Sequence, residues 1–232
     1  MQRVSAIRGD FPAIVVVPHG YQNDDYNTSI VGEQIIHELD CYGVINYGWQ
    51  RADKYDYYKD HANCNSIAHI KEDVVRQEFH DPIINFAQKI WNEGYIPNIY
   101  IIHGFNKSFS TDYAVDVILG VGNGDPPTWS CNSWVALSFA SLLDTNGYGV
   151  CFGKSGGSYA GRNSDNINQL FASYLLRTQS IQIEIAREFR HTSDKAKMTG
   201  NDLAICIEDN VTRQQDWKKW SNYDFFKDWQ KI

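Results

Sequence analysis

Long apolar runs and an excess of basic charge are both missing from this sequence, and each absence excludes a class of protein. The apolar run near the start, residues 13–17, is far shorter than the roughly 20 residues of a membrane span. The first residues lack the apolar stretch of about 7–15 residues that a signal peptide needs. With 21 Lys+Arg against 28 Asp+Glu, the net charge of −7 gives no general attraction for nucleic acid. We therefore expect a cytoplasmic protein that binds neither membranes nor nucleic acid.

Paired cysteines and linkers are also missing. The five cysteines are odd in number and widely spaced, and no CxxC occurs, which indicates reduced thiols rather than a disulfide framework. No repeat, low-complexity tract or Pro/Gly/Ser linker divides the chain. A chain of 232 residues with 43% hydrophobic residues can bury a core without disulfide or metal staples. We expect a single domain over residues 1–232.

Short β-branched runs alternate with helix-like stretches along the chain. Apolar strands that do not alternate with polar residues suit a sheet covered on both faces. The alternation with helices predicts an α/β three-layer sandwich with a mixed, mostly parallel sheet. The predicted strands cover 11–17, 43–47, 98–102, 115–119, 147–152, 180–185 and 203–207, and the predicted helices 31–39, 82–93, 133–143 and 166–176.

The C-terminal stretch, residues 212–232, is rich in tryptophan and phenylalanine. Trp217 and Trp220 are three residues apart, as they would be on one face of a helix. We expect a helical segment that packs across the sheet or against a second copy of the chain. A homodimer is therefore the protein partner that this segment favours.

Two predicted strands are each followed by a histidine and a glycine. The first ends in Pro18-His19-Gly20 and the second in Ile102-His103-Gly104, and Asp24 lies five residues after His19 with Asp25 beside it. Two imidazoles and one carboxylate are ligands that bind zinc and leave a fourth position for a catalytic water. The alternative is that both histidines are structural residues of the core.

A third feature is Glu184, in the predicted strand Ser180-Ile181-Gln182-Ile183-Glu184-Ile185. If both faces of the sheet are covered, burial raises the pKa of this carboxyl group toward that of a general base. The alternative is an edge-strand glutamate that faces solvent.

Together these motifs resemble those of zinc-dependent amidohydrolases related to N-formylglutamate amidohydrolase, and in particular the poly-γ-glutamate hydrolases. The resemblance covers most of residues 13–190. It rests on the two His-Gly motifs, on Gly-Arg-Asn-Ser-Asp-Asn-Ile-Asn at 161–168, on Gln-Ile-Glu-Ile at 182–185 and on Arg190. It implies a metallocarboxypeptidase-like fold.

The resemblance also implies a set of site residues. His19, Asp24 and His103 would bind one zinc ion, and Glu184 would be the general base. Such proteins often have Glu at the position of Asp24, so Asp25 is the alternative ligand.

The candidate substrate-binding residues are chosen because this chain differs from its relatives in a middle segment. Relatives often carry Asn-Arg in a middle segment, where this chain has Asn-Cys-Asn-Ser at 63–66. The candidate substrate-binding residues are therefore Arg162, Arg51, Asn65 and Asn166, because Arg binds a carboxylate in bidentate fashion.

The predicted function is zinc-dependent hydrolysis of an amide bond in a glutamyl or N-acyl amino-acid substrate, such as poly-γ-glutamate or N-formylglutamate. One alternative is a binding module on the same fold that recognises glutamyl polymers or peptides without turnover. Another is a serine hydrolase, because Gly-Lys-Ser-Gly-Gly at 153–157 fits GxSxG and would make Ser155 the nucleophile.

Overall fold

The computed structural model describes residues 3–21, 25–48, 64–67, 75–107, 114–124, 127–155, 157–170 and 178–220. Within these residues seven strands form one sheet: β1 (Val4–Ile7), β2 (Phe11–Val17), β3 (Cys41–Asn46), β4 (Asn98–Phe105), β5 (Val117–Gly120), β6 (Val150–Phe152) and β7 (Gln179–Ala186). Their order across the sheet is β1-β3-β2-β4-β7-β5-β6.

The sheet is mixed and mostly parallel, as predicted. β3, β2, β4 and β7 are parallel neighbours, and β6 runs parallel to β5. β1 is antiparallel to β3, and β5 is antiparallel to β7. Because β2, β4 and β7 run in one direction, their carboxyl ends lie at the same edge of the sheet, which is where ligands bind in open α/β folds.

Helices cover both faces of this sheet. They are α1 (Thr28–Leu39), α2 (Asp81–Asn92), α3 (Ser133–Thr145) and α4 (Ser193–Trp220), with a π-helical turn at Arg76–His80 before α2. α1, α3 and α4 bury one hydrophobic cluster, which includes Val15 and Ile183 of the strands. α2 and the π-helical turn bury a second cluster with Ile14 and Ile101. Adjacent strand residues thus face opposite layers, and the predicted three-layer sandwich is confirmed.

The strand predicted over 203–207 is wrong, because these residues lie inside α4. Leu203, Ile207 and Val211 are buried whereas Ile205 is 53% exposed. Burial that recurs every four residues is the pattern of a helix that packs along one face. The apolar residues at 203–207 look like a strand only when the window is too short to show this period.

Other parts of the chain differ in smaller ways from the sequence prediction. β1 was not predicted. The helix predicted over 166–176 begins as a 3₁₀ turn at Ile167–Gln169, and residues 171–177 lie outside the described part of the chain. α4 includes the start of the Trp-rich stretch, while residues 221–232 are not among those described. Of the helices that the structure describes, none is both long and apolar enough to cross a membrane.

The position of 203–207 in a helix gives a test by paired substitutions. We expect Leu203→Ala to lower the free energy of unfolding by about 2–5 kcal/mol, because it leaves a cavity beneath α4. Ile205→Ala should change it by less than about 0.5 kcal/mol, because that side chain is exposed. Urea denaturation followed by circular dichroism measures both. Similar losses in the two variants would contradict the helical assignment.

Candidate metal centre and general base

The two histidines of the sequence motifs meet at the carboxyl edge of the sheet. β2 and β4 are hydrogen-bonded parallel neighbours, so His19, two residues after β2, lies beside His103 near the end of β4. The ring centroids are 4.9 Å apart, with the planes 81° to each other. His103 is only 4% exposed. The strand pairing therefore brings together two imidazoles that are 84 positions apart in the sequence.

Asp25 completes this cluster. Its Oδ2 lies 3.1 Å from Nδ1 of His103 and 3.4 Å from Nδ1 of His19. One ligand atom from each of the three residues lies within 4.8 Å of the others. Asp25 is the alternative ligand of the sequence analysis, and Asp24 lies outside the described residues. The assignment of Asp24 as a ligand thus stays a prediction.

The histidines determine the charge of Asp25. Burial raises the pKa of this carboxyl group, but hydrogen bonds to His103 and His19 and the charges of both imidazoles lower it by more. The resulting pKa is well below that of an ordinary aspartate. Asp25 is therefore an anion over the whole physiological pH range.

This cluster fits a zinc ion in both chemistry and spacing. Two imidazole nitrogens and a carboxylate oxygen are the protein ligands of many catalytic zinc sites. Tetrahedral ligands at about 2.0–2.2 Å from zinc are roughly 3.3–3.6 Å from one another. The measured separations from Asp25 Oδ2 to the two Nδ1 atoms, 3.1 and 3.4 Å, are close to that value.

Glu184 lies next to the cluster, on the neighbouring strand. In the parallel pairing of β4 with β7, its Cα is the partner of the Cα of His103. β7 pairs with β4 on one side and β5 on the other, so Glu184 is on an interior strand rather than an edge strand, and it is 6% exposed. Burial raises its pKa to about 7, although the charge of His103 lowers it and that of Asp25 raises it. Glu184 thus has the burial and the raised pKa of a general base.

Two amides link Glu184 to the segment that precedes β7. Nε2 of Gln182 donates to Oε1 of Glu184 at 2.8 Å, and Nδ2 of Asn166 donates to Oε1 of Gln182 at 3.0 Å. Oδ1 of Asn166 accepts from the backbone N–H of Asn168 at 2.8 Å. We call Asn166, Gln182 and Glu184 the amide relay. The sequence analysis gave Gln182 no role, although residues two apart on a strand share a face.

The other predicted substrate-binding residues have different surroundings. Asn65 lies beside the amide relay, because its carbonyl oxygen accepts from the N–H of Ile167 at 2.9 Å. Arg162 is partly buried and packs over Gly124, where an added Cβ would be 2.7 Å from its Nε. Arg51 lies outside the described residues. The substrate-binding roles of these residues stay predictions.

Arg190 connects the three segments that carry the site. This buried side chain donates from Nε to the carbonyl oxygen of Ile185 at 3.0 Å, from Nη2 to that of Phe105 at 3.3 Å, and from Nη1 to that of Tyr26. These carbonyls come one or two residues after Glu184, His103 and Asp25. We call this arrangement the carbonyl clamp. The sequence analysis used Arg190 only as part of the resemblance.

Gly104 makes room for the carbonyl clamp. A Cβ at this position would lie 2.1 Å from Cζ of Arg190 and 2.2 Å from its Nη2. A side chain here would therefore displace the guanidinium group. This explains the glycine after His103 in physical terms.

Ser155 does not have the surroundings of a serine nucleophile. It is exposed and follows the end of β6 by three residues. The next element is a 3₁₀ turn at Ser158–Ala160. A nucleophile elbow requires a helix that begins directly after the serine.

Comparison with known proteins adds a fold assignment to this geometry. No protein-family model matches the chain. No curated protein sequence matches it either. Among solved structures, the gene product Atu2144 of Agrobacterium tumefaciens superposes with a TM-score of 0.68 at 12% identity, over 93% of this chain and 97% of that one.

Two neighbours with named activities have similar coverage. N-formylglutamate amidohydrolase of Ralstonia eutropha JMP134 has a TM-score of 0.63 at 13% identity, over 92% of this chain and 100% of that chain. A bacteriophage poly-γ-glutamate hydrolase has a TM-score of 0.55 at 14% identity, over 92% and 89%. The chain has the fold of these two solved structures. The resemblance drawn from the sequence is thus confirmed at the level of the fold, including the metallocarboxypeptidase-like architecture.

The carbonyl clamp can be tested with a double-mutant cycle. Gly104→Ala should lower the free energy of unfolding by about 1–3 kcal/mol through overpacking against Arg190. Arg190→Lys should lower it by a similar amount, about 1–3 kcal/mol, because buried carbonyls lose their donors. The double variant should lose less than the sum, since the flexible end of a lysine can move away from the new methyl group. Urea denaturation measures the cycle, and strictly additive losses would show that the two residues do not interact.

Proposed function

We propose that this protein is a zinc-dependent hydrolase that cleaves an amide bond in a glutamyl or N-acyl amino-acid substrate. The observation that carries the proposal is the convergence of two imidazoles and the Asp25 carboxylate beside the buried Glu184, whose pKa is raised to about 7. The fold supports it, because solved structures that share this fold include an N-formylglutamate amidohydrolase and a poly-γ-glutamate hydrolase.

The proposed metal ligands are His19, Asp25 and His103. Asp24 remains the alternative carboxylate. A bound zinc ion lowers the pKa of a water ligand toward about 7 and polarises the scissile carbonyl group. The ionised Asp25 offsets part of the charge of the cation, and the burial of His103 fixes the position of its imidazole.

Glu184 has the role of general base in this proposal. It accepts a proton from the attacking water and then passes that proton to the leaving amine. Burial raises its pKa above that of an ordinary glutamate, which makes the carboxylate a better proton acceptor. Its Oε1 is held by Gln182, so the orientation of the carboxylate is set before the substrate binds.

A glutamyl substrate would also need a partner for its own carboxylate. The sequence predicted two cations for this role, and Arg162 is the one that lies within the described residues. Its planar guanidinium suits a bidentate contact with a carboxylate. Asn65 is a second proposed contact, and its backbone borders the relay segment. The two hydrolases with this fold indicate the substrates to try first, N-formylglutamate and poly-γ-glutamate.

Metal content tests the proposed ligands. We expect the purified protein to bind one zinc ion per chain. His19→Ala and His103→Ala should each reduce zinc affinity by at least about 100-fold, because only two of the three protein ligands remain. His37→Ala is the matched control, since His37 is exposed in the last turn of α1. Elemental analysis and calorimetric titration give the readouts. Normal zinc binding in both site variants would exclude the proposed centre.

The same titration decides between the two adjacent aspartates. Asp25→Asn should weaken zinc binding strongly, because a neutral amide replaces the anionic ligand. Asp24→Asn should leave it close to that of the parent protein. The opposite result would make Asp24 the ligand.

The general base is tested separately from the metal. Glu184→Gln keeps the size of the side chain but removes the proton acceptor, so we expect hydrolysis of N-formyl-L-glutamate or poly-γ-glutamate to fall by about 10²–10⁴-fold while zinc content is unchanged. Release of formate or of glutamate measures the rate. Binding of either compound by the zinc-loaded parent protein without any turnover would favour the non-catalytic binding module instead.

A further inference from the structure

The hydrogen bonds of the amide relay have a direction that the backbone fixes. The N–H of Asn168 can only donate, so the side-chain atom of Asn166 that faces it must be the oxygen Oδ1. The other end of the amide, Nδ2, therefore faces Gln182 and donates to its Oε1. Gln182 must then present Nε2 to Glu184. One backbone N–H thus determines which end of a buried amide reaches the carboxylate.

We propose that Asn166, acting through Gln182, is a positioning residue that fixes the orientation of the Glu184 carboxylate. This inference rests on the proposed function, because Glu184 is the general base only if the protein is a hydrolase. It also gives Asn166 a role other than substrate binding, the role that the sequence analysis predicted for it.

The surroundings of the relay are rigid enough for this role. Gln182 is 2% exposed and lies on the interior strand β7. Two backbone hydrogen bonds join the segment that carries Asn166 to residues 65–67. The N–H of Ile67 donates to the carbonyl oxygen of Asp165 at 2.7 Å, and the N–H of Ile167 donates to that of Asn65 at 2.9 Å. Ser66 adds a bond from Oγ to Oδ2 of Asp165 at 2.6 Å. Asn166 is therefore held in place independently of any substrate.

A second pair of contacts keeps the same segment aligned with β7. Ser180 lies two residues before Gln182 on the same face of β7. Its Oγ donates to Oδ1 of Asn168 at 2.6 Å. Nδ2 of Asn168 donates in turn to Oγ of Ser130 at 2.8 Å. Asn166 and Asn168 thus lie opposite Gln182 and Ser180, and a shift of the segment along β7 would break both pairs.

The central variant is Asn166→Asp. Asp and Asn accept a backbone N–H equally well at such a position, so the bond from Asn168 is retained. The new carboxylate cannot donate to Gln182, whose amide must then turn its nitrogen away from Glu184. We expect kcat for N-formyl-L-glutamate or poly-γ-glutamate to fall by about 10- to 100-fold, with KM, zinc content and melting temperature close to those of the parent protein.

Two further variants isolate the cause. Asn163→Asp is the matched control, because Asn163 is exposed on the same segment and its Oδ1 accepts the N–H of Asp165, again two residues on. It should have no effect on kcat. Asn166→Ser keeps a backbone acceptor without adding charge, but is too short to donate to Gln182, so it should lower kcat as Asn166→Asp does.

A readout that needs no turnover is the side-chain amide signal of Gln182 in ¹H–¹⁵N NMR spectra. It is assigned by its loss in Gln182→Met. We expect this signal to shift in both Asn166 variants, because each removes the donor to Oε1 and so changes the hydrogen bonding of the Gln182 amide, and to stay in place in Asn163→Asp.

The outcomes separate the positioning role from the proposed function. An unshifted Gln182 signal in Asn166→Asp would overturn the relay even if the protein hydrolyses no tested compound. A shifted signal together with an unchanged kcat would overturn the positioning role. A rise in KM at constant kcat would overturn it as well, and would make Asn166 a substrate ligand. If the zinc-loaded parent protein shows no turnover while the signal shifts as expected, the proposed function fails and only the hydrogen-bond direction is supported.

Discussion

Carbonyl groups at the carboxyl edge of β4 and β7 and in the segment after His19 share one donor, the buried guanidinium of Arg190. A buried carbonyl without a donor costs about 1–3 kcal/mol, so these bonds offset a substantial penalty at the place where the strands end. The planar fork of arginine can serve several acceptors at fixed angles, which a lysine cannot do. The candidate metal ligands and Glu184 are therefore positioned relative to one another by Arg190, a residue outside both.

The buried face of β7 also carries polar groups that need hydrogen-bond partners. Ser180, Gln182 and Glu184 share one face of β7, and their partners on β4 are Ile99, Ile101 and His103. Burial of polar groups is tolerated only when each has a hydrogen-bond partner. Asn168 and Asn166 supply the partners of Ser180 and Gln182, and Gln182 in turn donates to Glu184. Ile167, between the two asparagines, packs in the apolar layer. β7 and this segment thus pack together as one unit.

Much of the fold could be predicted from the sequence, because buried parallel strands are continuous β-branched runs and need no further information. β2, β4 and β7 were predicted for that reason. The run at 203–207 was misassigned because five apolar residues are too few to show a helical period. β1 was missed because only its first residue is fully buried and the strand is short.

Only part of the candidate site could be predicted from the sequence. His19, His103 and Glu184 could be found because strand-end histidines and a carboxylate within an apolar strand are unusual in themselves. Nothing local distinguishes Asp25 from Asp24, since the choice depends on how the loop after β2 folds. The roles of Gln182 and Arg190 depend on partners far away in the sequence, such as Asn166 and Tyr26. Such pairings become visible only once the sheet is assembled.

The carbonyl clamp has a consequence for the order of events during biosynthesis. Arg190 reaches back 164 residues to Tyr26 and 85 residues to Phe105. Closing such long loops is slow and entropically costly, so these contacts form late. A nascent chain displays both histidines long before Arg190 leaves the ribosome. The geometry of the candidate site is thus a property of the whole polypeptide. An interrupted translation product would contain both histidines without the contacts that position them.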